Sequence, residues 1–151
     1  MRDIPQRESL TVEFKSDRTN LPNADLAAAI VGLANTEGGE LWLGVEDNGT
    51  VTGLFKPEKG EEQIKGAIAT NTNPTLMPSV EILTIRGLRV ARIVVQKSRT
   101  EVCTQRGLYL RRRLKADGTP ENIPMTSEDR TIRAGKMGIF DLSAQPVHGA
   151  T

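Results

Sequence analysis

Twenty residues from Ala34 to Gly53 constrain this chain most: Ala-Asn-Thr-Glu-Gly-Gly-Glu-Leu-Trp-Leu-Gly-Val-Glu-Asp-Asn-Gly-Thr-Val-Thr-Gly. They read as the end of a buried helix, a glycine turn, a strand, a tight hairpin and a second strand. Leu41, Leu43 and Val45 alternate with Trp42, Gly44 and Glu46, the period of two that a strand imposes. Gly38-Gly39 lets the chain reverse after the helix without a Cβ penalty. Asn48-Gly49 is a strong signal for a hairpin turn, because both central residues of a type I′ turn need positive φ. The unit sets two carboxylates, Glu46 and Asp47, at the mouth of a hairpin.

The rest of the chain supplies partners for that unit. Residues 1–10 read as extended, with Pro5 opposing an early helix. In Thr11 to Lys15, Val12 and Phe14 are expected to face the core, with Thr11, Glu13 and Lys15 on the opposite face. Asn23 is the expected N-cap of a helix running to Ala34, apolar almost all round and therefore buried on more than one side. A second helix is expected from Glu58 to Thr70, with Ile64, Ala67 and Ile68 inward. Val80 to Ile85 and Val90 to Val95 read as a hairpin around Arg86-Gly87-Leu88-Arg89. Leu108 to Leu110 is a short strand, and Asp117 to Pro120 a turn. Thr126 or Ser127 caps a last helix, which Gly135 ends. The pattern is α+β: one domain, residues 1–140, with a mixed sheet built from hairpins and packed helices. Residues 141–151 read as a tail or linker toward further domains.

Composition excludes several chemistries. Net charge is +1, so a polyanionic partner requires local clustering of cations. Aromatic residues make up only 3%, which weakens a single-strand reader that stacks bases on aromatic rings. Cys103 and His148 are single, which rules out a Cys/His zinc site within one chain. A lone cysteine fits a reducing compartment. The N-terminus lacks the apolar run of a signal peptide, and no stretch approaches the roughly 18 apolar residues of a membrane span. A soluble, cytoplasmic protein with no membrane partner is expected. No phosphate-loop motif is present: Gly135-Lys136 is followed by Met137, and position 130 is Arg.

Two constellations could carry chemistry. Glu8, Glu13 and the Glu46-Asp47 pair could converge across a small sheet, with Lys15 two residues from Glu13 on the same face. Carboxylates with a neighbouring lysine suit Mg²⁺- or Mn²⁺-assisted phosphodiester hydrolysis, since hard oxygen ligands hold the ion that activates water. The same residues also describe a solvated strand edge with an ion pair, the plainer reading of the two. Arg106, Arg111, Arg112, Arg113 and Lys115 form a basic cluster, which Arg86 and Arg89 could extend. Guanidinium groups match phosphate oxygens bidentately. On a strand Arg111 and Arg113 point one way and Arg112 the other, so the run cannot serve a single surface.

Taken together, Glu13-Phe14-Lys15 within residues 8–15, Ala34-Asn35-Thr36-Glu37-Gly38-Gly39, and Gly44-Val45-Glu46-Asp47-Asn48-Gly49 resemble the Schlafen-type AlbA-like domain. Tyr109-Leu110-Arg111-Arg112 and Pro124 to Glu128 are similar to its closing strand and helix. The resemblance implies a mixed-sheet α+β fold and a nucleic-acid-facing role. Bacterial members are often the N-terminal part of transcriptional regulators, divergent ATP-binding proteins or RecG-helicase relatives. In the family's nucleases three acids bind metal. By resemblance these fall on Glu8, Glu13 and an acid of the hairpin, Asp47 in preference to Glu46, with Lys15 assisting. Those nucleases clamp structured RNA between two lobes, and a single lobe lacks the second wall unless it forms a homodimer. The leading expectation is therefore a DNA- or RNA-binding module using Arg86, Arg89, Arg106, Arg111, Arg112, Arg113 and Lys115. A Mg/Mn-dependent endoribonuclease and a protein-interaction or dimerisation module are the alternatives.

Overall fold

A computed structural model describes residues 4–132. β1 (Val12–Lys15), α1 (Asn23–Ala34) and β2 (Gly39–Leu43) form a βαβ unit in which β1 and β2 run parallel. α2 (Glu61–Thr70) and the short β3 (Thr72–Asn73) follow, then the hairpin of β4 (Ser79–Ile85) and β5 (Leu88–Val95). β5 lies antiparallel to β2, so the main sheet has the order β1-β2-β5-β4. β6 (Cys103–Thr104) pairs with β3, and β7 (Leu110–Leu114) with β8 (Pro120–Pro124). The fold is α+β with a mixed main sheet. A last helix opens at Ser127 and runs through residue 132. Its cap is Thr126: the Asp129 N–H donates to Thr126 Oγ1, and the Thr126 N–H to Asp129 Oδ2, both at 3.0 Å. The expected helix end at Gly135 and the tail lie outside the described residues.

α1 is helical because alanine and unbranched residues dominate it, and it is apolar all round because it is enclosed. Leu26, Ala27, Ala29, Ile30, Val31, Leu33 and Ala34 are all buried. Its start differs from expectation. Asn23 is the first helical residue, Pro22 is the cap, and no side chain caps the helix. Pro22, with φ fixed near the helical value, offers its carbonyl to the Asp25 and Leu26 N–H groups. α2 is shorter than expected because Pro57 and Gly60 hold the preceding residues in turns, and only Ile64 and Ile68 are fully buried.

The sheet is covered on both faces. Leu41, Leu43, Ala91, Ile93 and Val80 pack against α1 and α2 on one side. Phe14, Trp42, Val45, Val51, Ile85 and Val90 form a second layer on the other. Leu41, Trp42 and Leu43 are therefore all fully buried, as central strands of a covered sheet must be. Val45 does not stay in phase with Leu43. Gly44, at φ +100°, inserts a turn that swings Val45 into the Trp42 layer. The expected second strand after Asn48-Gly49 is reduced to one bridge, Val45 to Val51.

Gly39, at the start of β2, lies against the Thr11 backbone just before β1. It has φ +143°, and a Cβ there would lie 2.1 Å from the Thr11 carbonyl oxygen. Gly87, at φ +80° in the β4–β5 turn, has open space around the same position. Gly39→Ala should therefore cost about 3 kcal/mol or more through backbone overpacking, and Gly87→Ala only about 1 kcal/mol through its positive φ. Urea denaturation of both variants checks this, and equal losses would contradict it.

Candidate functional site: a buried arginine beneath an acidic edge

β1 has a neighbour on one side only, and its outer edge is closed by side chains. The Ser9 N–H donates to the Val12 carbonyl at 3.0 Å, and the Val12 N–H to the Ser9 carbonyl at 3.3 Å. Glu8 Oε1 accepts the Phe14 N–H at 2.9 Å. Arg112 completes the closure from the far end of the chain. Its Nη2 donates to the carbonyls of Ser9 (2.6 Å) and Val12 (3.1 Å), its Nε to that of Leu10 (2.8 Å), and its Nη1 to Glu13 Oε2 (3.1 Å). Arg112 is 2% exposed.

Local structure explains this position. On β7, Leu110 and Arg112 are buried while Arg113 and Leu114 face solvent. The strand is held against the end of α1 by two polar side chains. Asn35 Nδ2 donates to the Leu110 and Val102 carbonyls, each at 2.8 Å, and its Oδ1 accepts the Val102 N–H at 2.9 Å. Thr36 Oγ1 accepts the Arg112 N–H at 2.8 Å. The Asn-Thr pair of the glycine-turn motif is thus a clamp for β7.

Electrostatics follow from the burial. Burial raises Glu8, and the hydrogen bond with Glu13, together with the charges of Glu13 and Asp47, lifts it to about 8. Burial pushes Glu13 up as well, but the hydrogen bond from Glu8 and the charges of Lys15 and Arg112 outweigh it and hold Glu13 below the usual range. At neutral pH the pair keeps one proton, on Glu8, which donates to the Glu13 carboxylate. Lys15 Nζ lies 3.8 Å from Glu13 Oε2. Asp47 is exposed and shares with Glu8, Arg7, Leu114 and Asp117 the lining of a cleft of about 640 Å³. Glu46 is instead a brace of the turn, accepting from Thr52 Oγ1 at 2.6 Å.

The residues expected to act together are brought together in part. Glu8, Glu13 and Lys15 are neighbours, and Asp47 reaches Glu8 electrostatically across the cleft. As a metal-binding set they do not fit in this arrangement. Glu13 is committed to a buried guanidinium, and no group of three His, Cys, Asp or Glu among the described residues could hold an ion.

The basic cluster divides. Arg112, expected at a nucleic-acid surface, is instead buried, because it shares the inward face of β7 with Leu110 and meets Glu13 there. Arg89 donates to the Pro57 and Lys59 carbonyls. Arg111 pairs with Asp129 at 3.1 Å and Arg113 with Glu121 at 2.9 Å, both partly open to solvent. Arg86, Arg106 and Lys115 are exposed on turns or at a strand end, with no ion pair among the described residues.

One buried anchor carried no sequence signal. Asp17, in the expected polar loop, is 0% exposed. It accepts from Lys59 Nζ at 2.9 Å and from the N–H groups of Leu21 and Phe55. Its partners lie up to 42 residues away, beyond any local pattern.

The family model for the Schlafen AlbA_2 domain matches residues 8–119, from the first acid to the β7–β8 turn. The chain belongs to this family. A search of curated proteins finds no match. Among solved structures, the DIP2311 protein of Corynebacterium diphtheriae is similar, with a TM-score of 0.60 and 22% identity. That match covers 76% of this chain and 25% of the Corynebacterium chain, so the AlbA_2 domain spans a quarter of its relative. The N-terminal domain of a RecG-related protein from Nitrosomonas europaea matches with a TM-score of 0.49 and 26% identity, over 60% of this chain and 65% of that one. Among the described residues, no helix is long and apolar enough to cross a membrane.

Three outcomes follow for this AlbA_2 domain. Glu13→Ala leaves the Arg112 charge buried without its carboxylate and should cost about 3–5 kcal/mol in urea denaturation. The exposed Asp47→Asn should cost less than about 0.5 kcal/mol. Between about pH 4.5 and 8 folded Glu8 holds a proton that the unfolded chain has released, so stability falls as pH rises through that window. Glu8→Gln should flatten this part of the stability–pH curve, and an unchanged slope would contradict the assignment.

Proposed function

We propose that this domain is a nucleic-acid-binding module of a longer protein, a transcriptional regulator or RecG-related protein, that contacts phosphates through Arg86, Arg106 and Lys115. The observation that carries the reading is the sorting of the cations. The fold buries Arg112 and ties Arg89 to carbonyls, yet leaves these three exposed without an ion pair among the described residues. Arg111 and Arg113 add to them, since exposed ion pairs contribute about 0–1 kcal/mol and can exchange a carboxylate for a phosphate. Family membership supports the same reading, because the resemblance drawn from the sequence implies a nucleic-acid-facing role. The RecG-related neighbour bears a name of that kind. Such contacts hold the backbone and read little sequence, so binding should be salt-dependent and weakly specific. A net charge of +1 makes the binding depend on these few side chains and not on a global field.

The test is retardation of a duplex DNA and of a structured RNA over a salt series. The variant Arg86→Ala/Arg106→Ala/Lys115→Ala should lower the slope of log K against log salt by about 0.9 per lost contact on the duplex. An unchanged slope would remove these residues from the interface. Parallel incubations with Mn²⁺ and Asp47→Asn address cleavage. Metal-dependent cuts that Asp47→Asn abolishes would replace the binding reading with the nuclease one. Asp47 is the informative acid, because Glu13→Ala lowers the stability of the fold as well as any chemistry.

A further inference from the structure

We propose that β4 is a dimerisation edge, along which the chain pairs antiparallel with a second copy of itself about a two-fold axis at Ile82. The two edges of the main sheet differ. The β1 edge is closed by Ser9, by the Glu8 carboxylate and by the Arg112 guanidinium. The β4 edge has no such cover among the described residues.

The β4–β5 register defines what that edge offers. The two-residue turn Arg86-Gly87 closes on the pair Ile85–Leu88. In an antiparallel ladder hydrogen-bonded pairs alternate, so Ile85, Leu83, Glu81 and Ser79 bond to β5. The N–H and C=O groups of Val80, Ile82 and Thr84 therefore point away from the sheet. None of them has a hydrogen-bond partner among the described residues. The devices that protect natural edges are missing too: Ser79–Ile85 contains no proline, no lysine and one charge, Glu81.

The occupant follows from the symmetry of the segment. Pro78, which has no N–H to give, bounds it on one side, and Arg86, at φ +54°, on the other. Both lie four residues from Ile82. An antiparallel pairing centred on Ile82 uses the whole edge with no overhang. In that register Ile82 meets Ile82 of the second copy, Val80 meets Thr84, and Glu81 meets Leu83. No like charges oppose one another, and Glu81 keeps Arg92 of β5 on its other side. Ile82 is packed at the margin of the helix-side core, so its self-contact extends that core across the axis. A charged peptide finds no matching charge on this strand, whereas a second copy finds its own complement. The product is a sheet of eight strands with β1 at both ends.

Sedimentation equilibrium and oxidative cross-linking test this. The wild-type chain should sediment at twice its 16.5 kDa mass at micromolar concentration. Thr84 is exposed and its N–H points to the free edge, so Thr84→Pro removes a donor without touching the β5 ladder. It should weaken the dimer by about tenfold or more, while Thr84→Ala leaves it intact. Hydrogen-bonded antiparallel partners have Cα atoms about 5.5 Å apart, within disulfide range, so Ile82→Cys should oxidise to a covalent dimer. The wild-type chain, whose Cys103 is buried, should not. A wild-type chain that stays monomeric, or a dimer indifferent to Thr84→Pro and uncoupled by Ile82→Cys, would overturn the proposal.

Discussion

The Arg112 guanidinium holds this fold together across its longest sequence separation. Burying a charge costs several kcal/mol, and only dense compensation keeps it inside. Three carbonyls of the N-terminal segment and the Glu13 carboxylate provide that compensation, from about a hundred residues upstream. The consequence is architectural. β1 would otherwise be a four-residue edge strand preceded by irregular chain, and β7 a strand of a separate small hairpin. The arginine welds them, and it also bears on the acids. Burial and the hydrogen bond with Glu13 raise Glu8, while that same bond, with the charges of Lys15 and Arg112, overcomes burial and lowers Glu13.

This ordering changes the meaning of the motifs by which the family is recognised. Asn35 and Thr36 bind backbone groups of β7 and of the segment before it. Gly39 admits the Thr11 carbonyl, Gly44 rephases the strand, and Glu13 receives Arg112. Each of these motif residues is accounted for by a contact inside the domain, whereas Asp47 is left exposed. Matching those residues therefore identifies a fold, and a fold does not fix an activity. What remains available to a ligand is Asp47 of the hairpin motif with Arg7 on the cleft rim, and the turns that carry Arg86, Arg106 and Lys115.

Much of this was legible in the sequence because it depends on neighbours a few residues away. The alternation of Val12, Glu13, Phe14 and Lys15, the enclosed helix to Ala34, the β4–β5 hairpin and the Thr126 cap are all local patterns, and each is present. The fate of Arg112 was not legible. In Arg111-Arg112-Arg113 the three side chains are identical, and alternation says only that the middle one differs from its neighbours. Whether the odd face is inside depends on Glu13, 99 residues away. The phase of Val45 was hidden for a related reason: the alternation continues on paper through Gly44, and only the positive φ at that glycine breaks it. The candidate acids were readable as a group, but not their engagement with Arg112.

On the proposed nucleic-acid reading, the same arginine run is how a nearly neutral domain would engage a polyanion. Arg111 and Arg113 hold carboxylates at the surface, where water screens the attraction and side-chain entropy offsets most of the rest. A phosphate can replace such a carboxylate at little net cost, because the guanidinium remains solvated throughout. Arg112 cannot make that exchange, since withdrawing it would leave Glu13 and three carbonyls without their donor inside the protein. One strand thus carries a structural cation between two exchangeable ones, and burial alone separates their roles. Counting the charges of the run overstates its capacity for phosphate, and the alternation of β7 corrects the count.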